Sequence, residues 1–390
     1  MDVFSAVKRY EILESKFRYE HVRDSIRREI ENGRYKEHEQ IPHGAELAQQ
    51  FDVSVATVNR ALKDLVSESF LTRIPKKGTI VRSRTEWNQD SDSRSYLIGA
   101  IVYDASSRHP LWSIALRGIE DAVQAHDCNL IVGNDDGDFS KARQYVRQFA
   151  QRGIDGIAYV PIGASSQEAY EEYNLEIVAM LEHEGIPFVQ FHRTVGTPRV
   201  SVTLDDYRDT RIVVRKMIEG GSRAPICVSH YYSSCSADRE EAFVDELRAN
   251  GVANPELRVI RLHPSGQKTG LDQLPELRDK MREITPFDGV FAVETDTLEV
   301  AVAAEKEVGH GTSKVVWACV DYSADTRATD IVDYAIAPPT YELGYMTGEG
   351  IISQISAPRY IPHRIVLPSK LVVSTRFASH TSDSVSLASR

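Results

Sequence analysis

The chain has 390 residues, 42% of them hydrophobic and 26% charged, a soluble globular balance in a chain too long for one ordinary core. No run approaches the about 20 apolar residues of a membrane span, and the first twenty residues lack the apolar stretch of a secretory signal, so a cytoplasmic protein is expected. The formal net charge of −11 argues against a nucleic-acid binder only if the chain is taken whole: residues 1–84 carry 16 Lys+Arg against 13 Asp+Glu, and the remainder carries 30 against 44.

That asymmetry sets a small basic module beside a large acidic one. In the first, Val22, Ile26 and Ile30 recur every fourth residue, which predicts a helix ending near Asn32-Gly33. After Ile41-Pro42 a short helix carries Leu47, Ala48 and Phe51. A turn follows at Asp52-Val53, and Ser54 is positioned to cap a helix with Val58, Ala61, Leu62 and Leu65 inward. Two helices about a tight turn form a helix-turn-helix, whose second helix fits a major groove. Leu71–Ile74 and Gly78–Val81 read as a hairpin with Pro75-Lys76-Lys77 at its tip, a basic wing suited to phosphate.

The polar stretch 83–95 reads as a linker, and residues 377–390, rich in Ser, as a flexible tail. Between them, seven short apolar runs (96–103, 128–132, 156–160, 187–191, 225–229, 289–293 and 315–320) are separated by helix-length stretches such as 116–125 and 238–250. Strand alternating with helix is the pattern of a parallel sheet wrapped by helices, an α/β fold. The four cysteines, Cys128, Cys227, Cys235 and Cys319, are scattered without metal-ligand or CxxC spacing, so no metal, cofactor or disulfide is expected.

The segments IPHGAELAQQFDVSVATVNRAL (41–62) and RIPKKGTIV (73–81) resemble the GntR family of winged helix-turn-helix regulators. The resemblance implies DNA contacts from His43, Ser54, Thr57, Asn59 and Arg60, and from Lys76, Lys77 and Thr79 in the wing. The family's usual Ser and Arg are replaced by His43 and Ala45, and another Arg by Val55, so an operator sequence does not transfer. VSVATVNRAL also looks like a LacI-type reading helix, but the wing stands where that family has a hinge helix.

HPLWSIALRGIEDA (109–122), GNDDGD (133–138), GIDGIAYVP (153–161), SADREEAF (236–243), WACVDY (317–322), YELG (341–344) and HRIVLPSKLVVSTR (363–376) resemble the LacI/GalR effector domain and so the type I periplasmic sugar-binding proteins. The resemblance implies two α/β lobes over residues 96–376, joined by three crossovers, behind a DNA-binding domain at 1–82. The combination is similar to GntR-type arabinose repressors. A polyol needs flat apolar faces for its C–H surface and charged groups for its hydroxyls. By resemblance these come from His109, Trp112, Asn134, His192, Arg193, Arg239, Glu294 and Asp321. His192 stands where the family has Asp, Glu294-Thr295 where it has Asn-Asp, and Pro338 where it often has Gln.

Taken singly, Trp112 reads as core packing, Arg239 as a partner of Glu240 or Glu241, and Asp135, Asp136, Asp205 and Asp206 as helix caps. The function expected is a sequence-specific transcription regulator, a repressor controlled by a small sugar-like effector. It would bind an inverted-repeat operator in double-stranded DNA as a homodimer. The alternatives are a module whose winged helix meets a protein partner, and an enzyme fused to a winged helix. Neither a complete phosphate loop around Ser265–Gly270, a nucleophile elbow, HExxH, nor a PLP-lysine motif supports the enzyme.

Overall fold

A computed structural model describes residues 21–74, 77–84, 96–103, 110–197, 200–262, 271–309, 315–322, 331–356 and 363–374. Lys76, His109, most of the expected linker and the expected tail lie outside these residues.

In the head, residues 21–31 are helical (α1), with Val22, Ile26 and Ile30 fully buried on one stripe. α2 (Gly44–Phe51) ends where Asp52 turns into the left-handed region, φ 52°, a conformation that Asp tolerates better than most residues. Ser54 then caps α3 (Val55–Ser67), its hydroxyl accepting from the Thr57 amide at 3.1 Å. β1 (Leu71–Ile74) and β2 (Gly78–Val81) pair antiparallel with Leu71 opposite Val81, as the spacing predicts. The Ile41 amide donates to the Thr79 carbonyl and the Val81 amide to the Glu39 carbonyl, which ties the hairpin back to the head.

The rest of the chain builds two six-stranded sheets. The first lobe runs β3 (Leu97–Val102), α4 (Pro110–Gln124), β4 (Asn129–Asn134), α5 (Phe139–Arg152), β5 (Gly156–Tyr159), α6 (Gln167–His183), β6 (Phe188–Phe191) and β7 (Val200–Leu204). The second runs α7 (Asp206–Glu219), β8 (Pro225–Ser229), α8 (Ser234–Ala249), β9 (Val259–Arg261), α9 (Leu274–Ile284), β10 (Gly289–Ala292), α10 (Thr295–Val308), β11 (Val316–Cys319) and β12 (Tyr334–Ala337). The chain then returns as α11 (Thr340–Ser356) and β13 (His363–Leu367) to the first lobe, and as β14 (Lys370–Val373) to the second.

Strand order is β13-β7-β6-β5-β3-β4 in the first sheet, all parallel. It is β14-β12-β11-β10-β8-β9 in the second, where only β14 runs antiparallel. Helices cover both faces, which is why β5, β6, β7, β8 and β10 are buried along their whole length, β5, β8 and β10 as near-continuous apolar runs and β7 with buried Ser201 and Thr203 alternating with Val200, Val202 and Leu204. The chain passes between lobes three times, at 204–206, 337–340 and 367–370.

The head is not isolated. The residues of α3 inside the head's own core are Val58, Ala61, Leu62 and Leu65. On the opposite side of the same helix, spaced i, i+4, i+7, lie Ala56, Arg60 and Lys63. Ala56 packs against the first lobe's apolar cluster, the Arg60 guanidinium donates to the Gly185 carbonyl, and Lys63 Nζ donates to Gly153 O at 3.0 Å and Asp155 Oδ2 at 2.6 Å. Gly153–Asp155 and Gly185 precede β5 and β6, so the head docks on the end of the sheet where these strands begin.

Candidate functional site: a cleft at the strand ends between the lobes

The other end of both sheets, where strands finish, faces a narrow cleft lined by Tyr103, Leu111, Trp112, His192, Arg193, Tyr231, Glu294, Asp296 and Asp321. This is where open parallel sheets bind ligands, because the strand-end loops converge there without closing the backbone. His192 follows β6 directly and Asp321 stands two residues past β11, and both adopt left-handed backbones, φ 63° and 58°. That conformation is strained for a side-chain-bearing residue and is held by the surrounding structure. The two side chains meet across the cleft with Nε2 and Oδ1 4.0 Å apart, an ion-pair distance too long for a hydrogen bond.

The lobes are drawn together around this space. The Arg193 Nη2 donates to the Tyr231 hydroxyl at 2.6 Å, the Thr194 amide to Ser234 Oγ at 3.0 Å, and Ala164 and Tyr232 exchange backbone hydrogen bonds. A Cβ built on Gly163 would stand 2.2 Å from the Tyr231 ring, so only glycine admits that ring so close.

Trp112, in the first turn of α4, lies edge-on to Phe191 and 5.3 Å from the His192 ring, with the Arg193 guanidinium 5.9 Å from its centroid. It is buried and also borders the cleft, so packing and ligand contact do not exclude one another. Burial alone would lower the His192 pKa, but the Asp321 carboxylate and Cys235 raise it to about 9, making it a cation at neutral pH. Burial would raise the Cys235 thiol, but Arg239 and His192 bring it down to about 7.

Arg239 and Asp321 differ from the expectation of a donor and an acceptor each held open for a ligand. Both belong to the second lobe, and each is the other's partner: Arg239 Nη1 and Nη2 donate to Asp321 Oδ2 and Oδ1 at 2.7 and 3.1 Å. Arg239 Nε donates to Asp206 Oδ1 at 2.7 Å and Nη1 to the Val293 carbonyl at 2.6 Å. Burial works against every charge here, but the arginine holds the Asp321 carboxyl far below the usual carboxylate range. A buried carboxylate–guanidinium–carboxylate set of this kind fixes the floor of the second lobe and orients Asp321 toward the cleft. Asp206 is therefore an ion-pair partner and not a cap. Asp205 is the cap of α7, and at α5 the cap is Asp138, while Asp135 and Asp136 serve a turn.

The remaining expected positions divide. Glu294 borders the cleft and contacts His230 Nε2. Asn134 lies outside the lining residues, its amide bonded to Asp136 in an Asx turn. Tyr103 and Tyr231 line the cleft and were not singled out by the sequence. The available signal was their place, one and two residues past the apolar runs of β3 and β8. In the head, His43 is exposed before α2, Ser54 Oγ lies 2.9 Å from Thr57 Oγ1, and Asn59 Oδ1 faces Gly44, where an added Cβ would be 3.3 Å away. Lys77 is exposed and Thr79 half-buried on the wing. No group of three or more metal-ligating side chains occurs among the described residues.

A helix-turn-helix with a wing, joined to a two-lobed domain with a cleft at the strand ends, is the architecture of a DNA-binding transcriptional regulator that senses a small molecule. The profile of the periplasmic binding proteins and sugar binding domain of the LacI family matches residues 95–316, and that of bacterial regulatory proteins of the gntR family matches residues 18–81. The chain belongs to the first family and carries a GntR head in front of it.

Among curated relatives, a ribose operon repressor of Halalkalibacterium halodurans is 22% identical over 348 residues, spanning 84% of this chain and 95% of the relative. An arabinose metabolism transcriptional repressor of the same organism is 22% identical over 368 residues, 85% and 97% of the two chains. Among solved structures, the transcriptional regulator CelR–cellobiose complex superposes with a TM-score of 0.62 at 18% identity, covering 82% of this chain and 89% of that one. A periplasmic binding protein/LacI transcriptional regulator from Alkaliphilus metalliredigens complexed with D-xylulofuranose gives 0.57 at 19% identity, covering 71% and 97%.

Proposed function

We propose that this protein is a cytoplasmic homodimeric repressor that reads an inverted-repeat operator and responds to a sugar or sugar derivative in the cleft between its lobes. The observation that carries the reading is the composition of the cleft, where Trp112 and Tyr231 offer apolar faces and Glu294, Asp321, Arg193 and His192 offer charged hydrogen-bonding groups. Relatives named for ribose and arabinose repression and a neighbour solved with cellobiose support the sugar class. A ligand that binds the closed lobes more tightly than the open ones shifts that equilibrium, and only such differential affinity can alter the heads. In this reading His43, Ser54, Thr57, Asn59 and Arg60 face the DNA with Lys76, Lys77 and Thr79 of the wing, while Trp112, His192, Arg193, Glu294 and Asp321 meet the effector. Asn134, turned away in this structure, is dropped from that set, and Arg239 acts by positioning Asp321.

The experiment is enrichment of random-sequence DNA on the full-length chain, followed by titration of the selected duplex at several salt concentrations. A palindromic consensus is expected. When Lys76 and Lys77 become Ala, the salt dependence should flatten by about one unit of slope for each phosphate no longer neutralised. Absence of any enriched sequence would favour a winged helix that contacts protein.

A further inference from the structure

The sugar reading leaves open what kind of sugar, and one side chain in the cleft bears on it. Arg193 is 3% exposed, yet only its Nη2 is used, by the neutral Tyr231 hydroxyl. Its Nε and Nη1 are buried with no hydrogen-bond partner, and no carboxylate lies within ion-pair distance of it among the described residues. It rests instead between two aromatic faces, 5.9 Å from the Trp112 centroid and 5.2 Å from that of Tyr231.

Burial works against the Arg193 charge, which Tyr231, Cys235 and Glu294 favour through space, but two buried donors left without an acceptor are expensive and aromatic faces offset only part of that cost. The carboxylates around it are committed elsewhere. Asp206 and Asp321 are held by Arg239, and Glu294 is in contact with His230. Asp135, near enough to feel the arginine's charge, is pushed by burial up to about 8, which favours its protonated form. The adjoining His192 adds a second positive charge on the same wall, its Nδ1 also without a partner. By contrast Glu294 and Asp296 stand on the other wall, in the second lobe.

We propose that the natural effector is a small polyol carrying an oxyanion, a carboxylate or a phosphate, seated on the open donors of Arg193 with its hydroxyls toward Glu294 and Asp296. The proposal rests on the sugar reading above and narrows it to acidic sugars. The ligand brings an oxyanion into direct contact with the open donors, and its binding joins the cationic wall of the first lobe to the acidic wall of the second. Charge-assisted bonds in so dry a cleft discriminate strongly against a neutral parent sugar, which would leave the arginine unpaired.

The test uses full-length protein in thermal-shift and calorimetric titrations with three sets of probes. The neutral set is ribose, arabinose, glucose and sorbitol; the carboxylate set is gluconate and glucuronate; the phosphate set is ribose 5-phosphate and glucose 6-phosphate. Binding is expected from one of the charged sets, at least roughly tenfold tighter than from its neutral parent. The set that binds identifies whether the oxyanion is a carboxylate or a phosphate. Arg193→Met should lose roughly tenfold to a hundredfold in affinity for that probe while its ligand-free melting temperature holds or rises, because an unpaired buried charge has been removed. Arg193→Lys, which keeps the charge, should retain intermediate affinity if the methionine variant folds poorly. Neutral sugars binding as tightly as their acids would overturn the acidic ligand and leave the sugar reading standing. Charged probes binding unchanged to Arg193→Met would place the oxyanion elsewhere and also overturn it. No binding from any set would overturn both.

Discussion

Asp135 couples proton uptake to folding. Its Oδ1 accepts from the Gly137 amide at 2.7 Å, but burial dominates and holds the carboxyl at about 8, against an ordinary 3.8. Between those values the folded chain keeps a proton that the unfolded chain has released, so this group's contribution to stability falls as pH rises from about 4 through about 8. Asp135→Asn keeps an acceptor for Gly137 and removes the titration. Melting temperatures measured between about pH 5 and 9 should fall more steeply for the wild type, the variant gaining relative stability toward the alkaline end. Parallel curves would show that this carboxyl is not the source. Side chains were legible in the sequence when a motif fixed both their type and their place, as for Trp112, His192, Arg193, Glu294 and Asp321, all of which border the cleft. The mutual saturation of Arg239 and Asp321 was not, because a sequence separation of 82 hides a pairing that only the sheet brings about. Asn134 likewise has a local partner, Asp136, that competes with any role in the cleft.

Between helices the decisive contact is the crossing of α4 and α11. A Cβ built on Gly344 would stand 1.9 Å from the Ala115 carbonyl oxygen, and one on Gly118 would stand 2.2 Å from the Tyr341 carbonyl oxygen. Backbone meets backbone here, and no rotamer change can relieve an added methyl. Gly344→Ala should therefore cost about 1–3 kcal/mol or more, read as a lower urea midpoint with the slope unchanged. An unaltered midpoint would mean that the helices separate at little cost. This crossing also explains the glycine in YELG, which the sequence marked by resemblance alone. The apolar runs of β3, β5, β6, β8, β10 and β11 were readable because burial on both faces demands them, while β4, an edge strand with half-exposed side chains, was readable from its Leu130–Val132 run alone. β7, β9, β12, β13 and β14 were not singled out. β9 has only three residues, and β13 and β14 lie at sheet edges with half-exposed or exposed side chains that dilute any pattern.

Across the full assembly of head and lobes, the docking of α3 stands out because it uses the side of that helix opposite the head's own core. That is the side a reading helix turns into a major groove. Under the proposed function the helix cannot occupy DNA and the first lobe at once, so Arg60 and Lys63 would exchange lobe partners for phosphates or bases when an operator binds. The apparent affinity for DNA is then reduced by the fraction of heads that are docked. Asp155→Asn weakens the attraction for Lys63 from the lobe side, leaves every residue of the head unchanged, and keeps an acceptor for the Leu97 amide. Fluorescence anisotropy with a selected operator should show roughly two- to tenfold tighter binding by this variant at fixed salt, Lys63 being partly solvent-screened. Equal or weaker binding would mean that docking does not compete with DNA.

The return of the chain to the first lobe has a consequence for the order in which the protein is made. The head is finished by residue 84, and its core draws on nothing later. The first lobe, begun at Leu97, still lacks the helix that covers α4 and the strand that closes its sheet beside β7 until residues 340–367 have been synthesised. The second lobe waits slightly longer, for β14. A nascent chain thus carries a folded head followed by two incomplete lobes with exposed apolar faces, and both become complete within the last few dozen residues. Truncation behind α10 would leave neither lobe whole, so the two lobes are expected to form or fail together during synthesis while the head survives alone.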